Sequence, residues 1–353
     1  MSLSKERRIE IECCIINAIG QQNKTSITQK AIADKFDISV QSVSRIIRKM
    51  EQSGRILKHR DGRKNAYTLP TKIEVYKYQL NGLTEDKVHR DIIVDFFHSA
   101  PKCAYDNLIY AFSEILNNAI EHSNGTEVEI TLIRDESKLL FSIADNGVGI
   151  FSKIADALKL DEKRFAILEL AKGKFTTDPD SHSGEGIFFS SKCGDLFIIK
   201  SDGIEFVTDP NIEMLYESLK PAIHTGTKVI FMVSTANKKT LRELFDQYTD
   251  VPESYGFSKT IIPIQLLEYG DKAPVFISRS QARRLIARIE RFKVVLLDFS
   301  GIDFIGQGFA DEIFRVFKTR HPEVNLIPVD CSVDVQKMIE HVSNNSWGNV
   351  LKE

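Results

Sequence analysis

The 353-residue sequence contains no run of about 18 or more apolar residues, so an ordinary transmembrane helix is not expected. Its first residues, Met1-Ser2-Leu3-Ser4-Lys5-Glu6, lack the apolar core and cleavage site of a secretory signal. Cysteine is sparse. Cys13, Cys14, Cys103, Cys193 and Cys331 are odd in number and form no CxxC pair. That argues against a zinc ribbon or a disulfide framework, and a reducing cytoplasm is the simplest setting. There is no internal repeat and no low-complexity tract. Net charge is small, at −2. What is present is globular composition, 42% hydrophobic and 27% charged, with length for two or three domains.

The small net charge hides an asymmetry. Residues 1–70 hold 14 Lys and Arg against 7 Asp and Glu, or +7, which leaves −9 for the remainder. A basic head on an acidic body points to an anionic partner for the head, with nucleic acid first in line.

Within 1–70, Arg7 to Ile19 has helical apolar spacing through Ile9, Cys13 and Ile16. Gly20 and Asn23 break it. Thr28 is suited to cap a second helix with Ala31, Ile32 and Phe36 on its apolar face. After Asp37-Ile38, Ser39 is suited to cap a third helix carrying Val43, Ile46, Ile47 and Met50. That helix displays Gln41, Ser42, Ser44, Arg45, Arg48 and Lys49, types that contact base edges and phosphates. Arg55–Lys58 and Ala66–Leu69 alternate like strands around a basic hairpin holding Arg60, Asp61-Gly62, Arg63 and Lys64. This order resembles the winged helix-turn-helix family. The resemblance implies binding to double-stranded DNA, with the hairpin on the phosphate backbone.

Thr71 to Gly82 reads as a linker, and Thr84 to Ser99 as a helix. A second helix, about Ala104 to His122, brings Glu114, Asn118 and His122 onto one face by their spacing of four. Glu127–Ile133 and Lys138–Ala144 alternate like strands, and the second runs into Asp145-Asn146-Gly147-Val148-Gly149-Ile150. A stretch without obvious strands follows, with one expected helix (about Asp161–Lys172) and basic Lys172 and Lys174. Gly184-Glu185-Gly186-Ile187 then opens an apolar helix, and glycines at a helix N-terminus favour an anion. Asp195–Lys200, Gly203–Val207 and Thr227–Val233 read as strands.

In this order the pieces resemble the GHKL ATPase family (gyrase, Hsp90, histidine kinase and MutL type). Glu114 and Asn118 match its N-box, and His122 matches the form in bacterial anti-sigma serine kinases. The resemblance implies ATP and Mg²⁺. Asn118 would hold the metal and Glu114 would be the general base. Asp145 would accept the adenine amino group, with Gly147, Gly149 and Ile150 beside adenine and ribose. Gly184, Gly186 and Ile187 would lie at the phosphates, with Lys172 and Lys174 as cofactor contacts, beneath a lid spanning 151–183. Thr227 matches the family's last adenine-side residue. His89 lacks the flanking acidic residue and proline of a phospho-acceptor histidine and reads as an ordinary helix-surface residue.

In the tail, Thr260–Leu267 and Pro274–Ile277 read as strands, Arg279–Phe292 as a basic helix and Lys293–Phe299 as a buried strand. Phe309–Lys318 reads as a helix, Val324–Val329 as a strand and Val333–His341 as a last helix. Strands alternating with helices imply an α/β sheet. The run Asp298 to Gly308 resembles the STAS domain of anti-sigma-factor antagonists. Where those carry a phosphorylatable hydroxyl, this chain has Gly306-Gln307-Gly308, and an amide cannot accept phosphate. Ser300 reads as a turn residue.

The expectation is a multidomain α/β protein. It has an α+β winged helix (1–70), a central α/β sandwich of GHKL (Bergerat) type (71–235) and an α/β STAS-like domain (236–353). The expected function is a cytoplasmic bacterial DNA-binding regulator in which Mg-ATP controls the head and the tail. The tail would offer a surface to a protein partner. A homodimer is expected by analogy, and no membrane is involved. Two alternatives stand beside it: a serine/threonine kinase of anti-sigma type acting on a separate partner, and a non-hydrolysing nucleotide switch.

Overall fold

The computed structural model describes residues 4–20, 29–61, 64–175, 184–209, 212–217, 225–249, 257–267 and 276–343. Among these, no helix is long and apolar enough to cross a membrane. The expected breaker Asn23, the cap Thr28, the wing residue Arg63 and residues 176–183 of the expected lid lie outside the described residues.

The head packs helices Lys5–Gly20, Gln29–Phe36 and Val40–Gln52 around buried Ile11, Ile15, Val43, Ile46 and Met50. Asp37, at φ +48°, turns the chain between the second and third helices, and the Ile38 N–H reaches the Ala33 carbonyl at 3.0 Å. Aspartate tolerates that left-handed conformation better than most residues. Ser39 caps the third helix by accepting from the Ser42 N–H. β1 (Leu57–Asp61) and β2 (Lys64–Thr68) then form an antiparallel hairpin. Its strands reach closer to the turn than the spacing predicts.

The expected linker is instead a strand. β3 (Lys72–Gln79) pairs antiparallel with β4 (Glu127–Arg134) along its whole length, from Lys72 opposite Arg134 to Gln79 opposite Glu127. β3 is an edge strand with Ile73 and Val75 exposed, while Tyr76 and Tyr78 pack on the core. Apolar residues on both faces obscure the alternation. The sheet continues through β5 (Lys138–Asp145), β6 (Leu196–Ser201), β7 (Ile204–Asp209), β8 (Ile212–Glu217) and β9 (Thr227–Ser234). All its pairings are antiparallel, in the order β3-β4-β5-β9-β6-β7-β8.

Helices Lys102–His122 and Gly186–Cys193 cover one face of this sheet. Phe112 meets Phe141 edge-on at 5.3 Å, and Phe141 stacks on Phe231 at 5.3 Å. The stretch 84–99 is helical from Glu85 to Phe97, with a π-helical turn at His89–Ile93. Helices Ile150–Leu158 and Phe165–Lys172 follow β5, and the first of these was not anticipated.

The tail holds a parallel sheet of β10 (Lys259–Pro263), β11 (Val294–Asp298) and β12 (Asn325–Val329). The expected strand Thr260–Leu267 ends at Pro263, and 264–267 forms a 3₁₀ turn. The basic helix ends early, at Ile286. Arg288 adopts φ +63°, and a 3₁₀ turn spans Ile289–Arg291. Helix Gln307–Ala310 continues through a π-helical turn (Asp311–Phe317) into Lys318–Arg320, and Val333–Val342 closes the described tail. Helix Leu241–Gln247, closed by a Thr240–Glu243 capping box, packs back on the central sandwich. Phe245 lies 4.7 Å from Phe189, and Phe257 lies 4.7 Å from Phe188. One apolar core therefore runs through the sandwich and the tail.

Candidate functional site

A cavity of about 340 Å³ opens between helix Lys102–His122, the ends of β5 and β9, and helices Ile150–Leu158 and Gly186–Cys193. Glu114, Asn118 and His122 line it from successive turns of one helix face. Neighbouring Asn117 points elsewhere and donates to Glu85 at 2.7 Å. Asp145, Gly149, Ile150 and Thr227 form a second wall, and Gly184, Gly186 and Ile187 a third.

Asp145 sits where β5 meets β9. Its Oδ1 accepts the N–H of Gly147 at 2.8 Å and that of Thr227 at 3.3 Å. Desolvation raises its carboxyl above the ordinary aspartate value, and the two N–H bonds partly offset that. The Thr227 hydroxyl accepts the Ile150 N–H at 2.9 Å, so helix Ile150–Leu158 starts directly from the cavity wall. Gly149 makes that entry possible at φ +94°, where a β-carbon would stand 2.8 Å from Asp202 and Ser201 oxygens. Asp202 holds the helix start through the Ser152 N–H at 3.0 Å and the Ser152 hydroxyl, and also pairs with Lys163 at 3.0 Å.

Gly147 is not a lining residue. It lies against Ser123, whose carbonyl would be 2.0 Å from an added β-carbon, so its role is close packing of the loop on the helix end. Gly186 stands against Glu114, with its β-carbon position 1.8 Å from Glu114 Oε2.

Lys172 and Lys174 are corrections. Lys172 is 2% exposed and faces away from the cavity. Its ammonium donates to Glu169 at 2.8 Å and to the Arg284 and Ala287 carbonyls at 3.0 and 2.9 Å. Lys174 lies over the rings of Phe257 and Phe292, at 5.5 and 5.0 Å. Both face the tail because the tail packs on this segment. Leu170 and Phe175 of the same segment line the cavity. Sequence reasoning missed them, and it missed Lys153, which lines the cavity one turn into the unanticipated helix.

In the head, Gln41, Arg45, Arg48 and Lys49 of the third helix are exposed, as is Arg60 on β1. The hydroxyls of Ser42 and Ser44 are engaged locally, with Ser39 at 2.9 Å and Gln29 at 2.5 Å. Lys64 belongs to β2.

The amide oxygen of Asn118, one turn from the Glu114 carboxylate, suits a hard cation that keeps waters and shares phosphate oxygens. Among the described residues, no three His, Cys, Asp or Glu side chains gather into a metal cage. A sparse oxygen set completed by a ligand fits magnesium with a nucleotide better than an all-protein site.

Residues 104–234 match the histidine kinase-, DNA gyrase B- and HSP90-like ATPase family. Residues 281–336 match a STAS-like domain of unknown function, and residues 13–70 match a further domain of unknown function. The chain thus contains a GHKL-type ATPase domain and a C-terminal STAS-like domain. It is 36% identical over 92 residues to the sensor protein VraS of Staphylococcus epidermidis, covering 25% of this chain and 26% of the relative. It is 36% identical over 98 residues to VraS of Staphylococcus haemolyticus, covering 27% of each. It is 35% identical over 92 residues to VraS of Staphylococcus aureus, with shares of 25% and 26%. The chain spans about a quarter of the length of these relatives.

Proposed function

We propose that the cavity binds Mg-ATP, and that nucleotide state governs a DNA-binding head and a STAS-like tail. The observation that carries this reading is convergence. Asp145 from the end of β5, Thr227 from the start of β9, Asn118 and Glu114 from one helix face, and Gly186 over Glu114 meet in one cavity. Asp145 offers a desolvated acceptor for the adenine amino group. Magnesium, when bound, neutralises phosphate charge. Asn118 offers it an amide oxygen, and Glu114 is placed to take a proton from an attacking hydroxyl. Gly186 leaves the backbone close to that carboxylate.

Two contacts support the coupling. Arg55 of the head forks onto Glu136 at the β4–β5 turn and reaches Glu12, at 2.7 and 2.5 Å. In the lid segment, Leu170 and Phe175 face the cavity while Glu169, Lys172 and Lys174 face the tail. A shift at the cavity therefore strains contacts with the tail. The exposed Arg45, Arg48, Lys49 and Arg60 supply the positive surface for a DNA backbone, with the exposed Gln41 amide beside them.

The test is the affinity for double-stranded DNA at fixed salt, with and without Mg-ATP. The reading predicts a change with ATP in wild type and a smaller one in Asp145→Asn. Equal affinities in wild type with and without ATP would sink the coupling.

A further inference from the structure

We propose that Lys153 is the cation that meets the phosphate nearest the ribose. The proposal rests on the cavity being a nucleotide site, and it names the residue that separates nucleotides from nucleosides there. Among the described residues, Lys153 is the lysine or arginine that lines the cavity. Its Nζ donates to the His122 carbonyl at 2.6 Å, which leaves two further ammonium protons. No carboxylate of the described residues pairs with it. The nearby cations are committed elsewhere: Lys163 to Asp202, Lys172 to Glu169, and Lys174 to two aromatic rings.

Position along the helix assigns the phosphate. Glu114 and His122 are eight residues apart, or about 12 Å at the helical rise. The His122 end abuts the Asp145 loop, because Val148 donates to the Ser123 carbonyl at 2.9 Å and Gly147 packs on Ser123. Lys153 therefore stands at the adenine and ribose end, away from Glu114. The start of its helix offers little to an anion. The Ile150 N–H goes to Thr227, that of Ser152 to Asp202, and that of Lys153 to the Gly149 carbonyl at 3.1 Å. The side chain, rather than the helix terminus, supplies the positive charge. Burial lowers the Lys153 ammonium below the ordinary lysine value, and an adjacent phosphate would restore it.

The experiment is calorimetric titration of the full chain with ATP, ADP and adenosine. Wild type, Lys153→Met, Lys153→Arg and Asp145→Asn are compared. Loss of a charge-assisted hydrogen bond predicts that Lys153→Met weakens ATP and ADP alike by about 10-fold or more, with adenosine unchanged. Lys153→Arg keeps most of the affinity. Unchanged ATP and ADP binding in Lys153→Met, while Asp145→Asn weakens all three ligands, overturns the proposal and leaves the nucleotide reading standing. A parallel loss of adenosine overturns it too, since Lys153 would then only support the helix end. A selective loss of ATP over ADP would move Lys153 to the terminal phosphate and contradict the assignment. Absence of binding of all three ligands to wild type would overturn the nucleotide reading and this proposal together.

Discussion

Gly186 lies so close to Glu114 that a methyl group added to it would stand 1.8 Å from Glu114 Oε2. Glycine here is a steric requirement of the carboxylate's position. Gly186→Ala forces the flexible end of Glu114 to swing aside rather than the backbone. The expected result is a folded protein, destabilised by about 1 kcal/mol, with phosphate release reduced as far as in Glu114→Gln and nucleotide binding retained. A steady-state phosphate assay beside a thermal melt checks this. Undiminished release in Gly186→Ala would contradict the placement of Glu114 as the base.

The Glu169 carboxylate is shared by Lys172 at 2.8 Å and Arg288 at 2.8 Å, one from helix Phe165–Lys172 and one from the tail. Both Glu169 and Lys172 are nearly solvent-free. Glu169→Gln leaves the Lys172 ammonium buried without its carboxylate, and removing one partner of a buried pair costs about 3–5 kcal/mol. Lys172→Met costs less, because Glu169 keeps Arg288. The double variant is more stable than the sum of the two. Thermal unfolding of the three variants measures this, and additive losses would contradict the shared network.

Asp145 makes the site sensitive to acid. Its raised pKa means that the folded protein holds this proton more tightly than the unfolded chain. The resulting stability is present at low pH and is lost as pH rises through the raised value. The ionised form that suits a donor is therefore disfavoured until a ligand supplies one. The ratio of ATP affinities, wild type over Asp145→Asn, is expected to fall as pH drops through a point above the ordinary aspartate range. Taking the ratio cancels the titration of ATP itself. A flat ratio would show that Asp145 does not meet the ligand as a carboxylate.

Much of the sandwich is legible because its inner strands are apolar runs of strand length bounded by polar residues. β5 buries Leu139, Phe141 and Ile143, and β9 buries Val229, Phe231 and Val233. β3 escapes because exposed Ile73 and Val75 share the strand with Tyr76 and Tyr78, which removes the contrast between its faces. Helix Ile150–Leu158 escapes because its cap is a glycine at φ +94° in the turn after β5, with no side-chain cap to announce it. Lys172 shows the other limit. Its charge is visible in the sequence, but its direction is set by Arg284 and Ala287, more than 110 residues downstream. Lys153 depends on the same helix, whose apolar spacing through Ile150, Ile154 and Leu158 is present in the sequence and was passed over.

The most direct test of the central claim is equilibrium titration of the purified chain with ATP in the presence of Mg²⁺, wild type against Asp145→Asn and Asn118→Ala. The account predicts saturable binding to wild type. It also predicts weakened but measurable binding in Asp145→Asn, and in Asn118→Ala a loss of the dependence on Mg²⁺. Wild-type affinity in Asp145→Asn, or no binding by wild type at millimolar ATP, would contradict it.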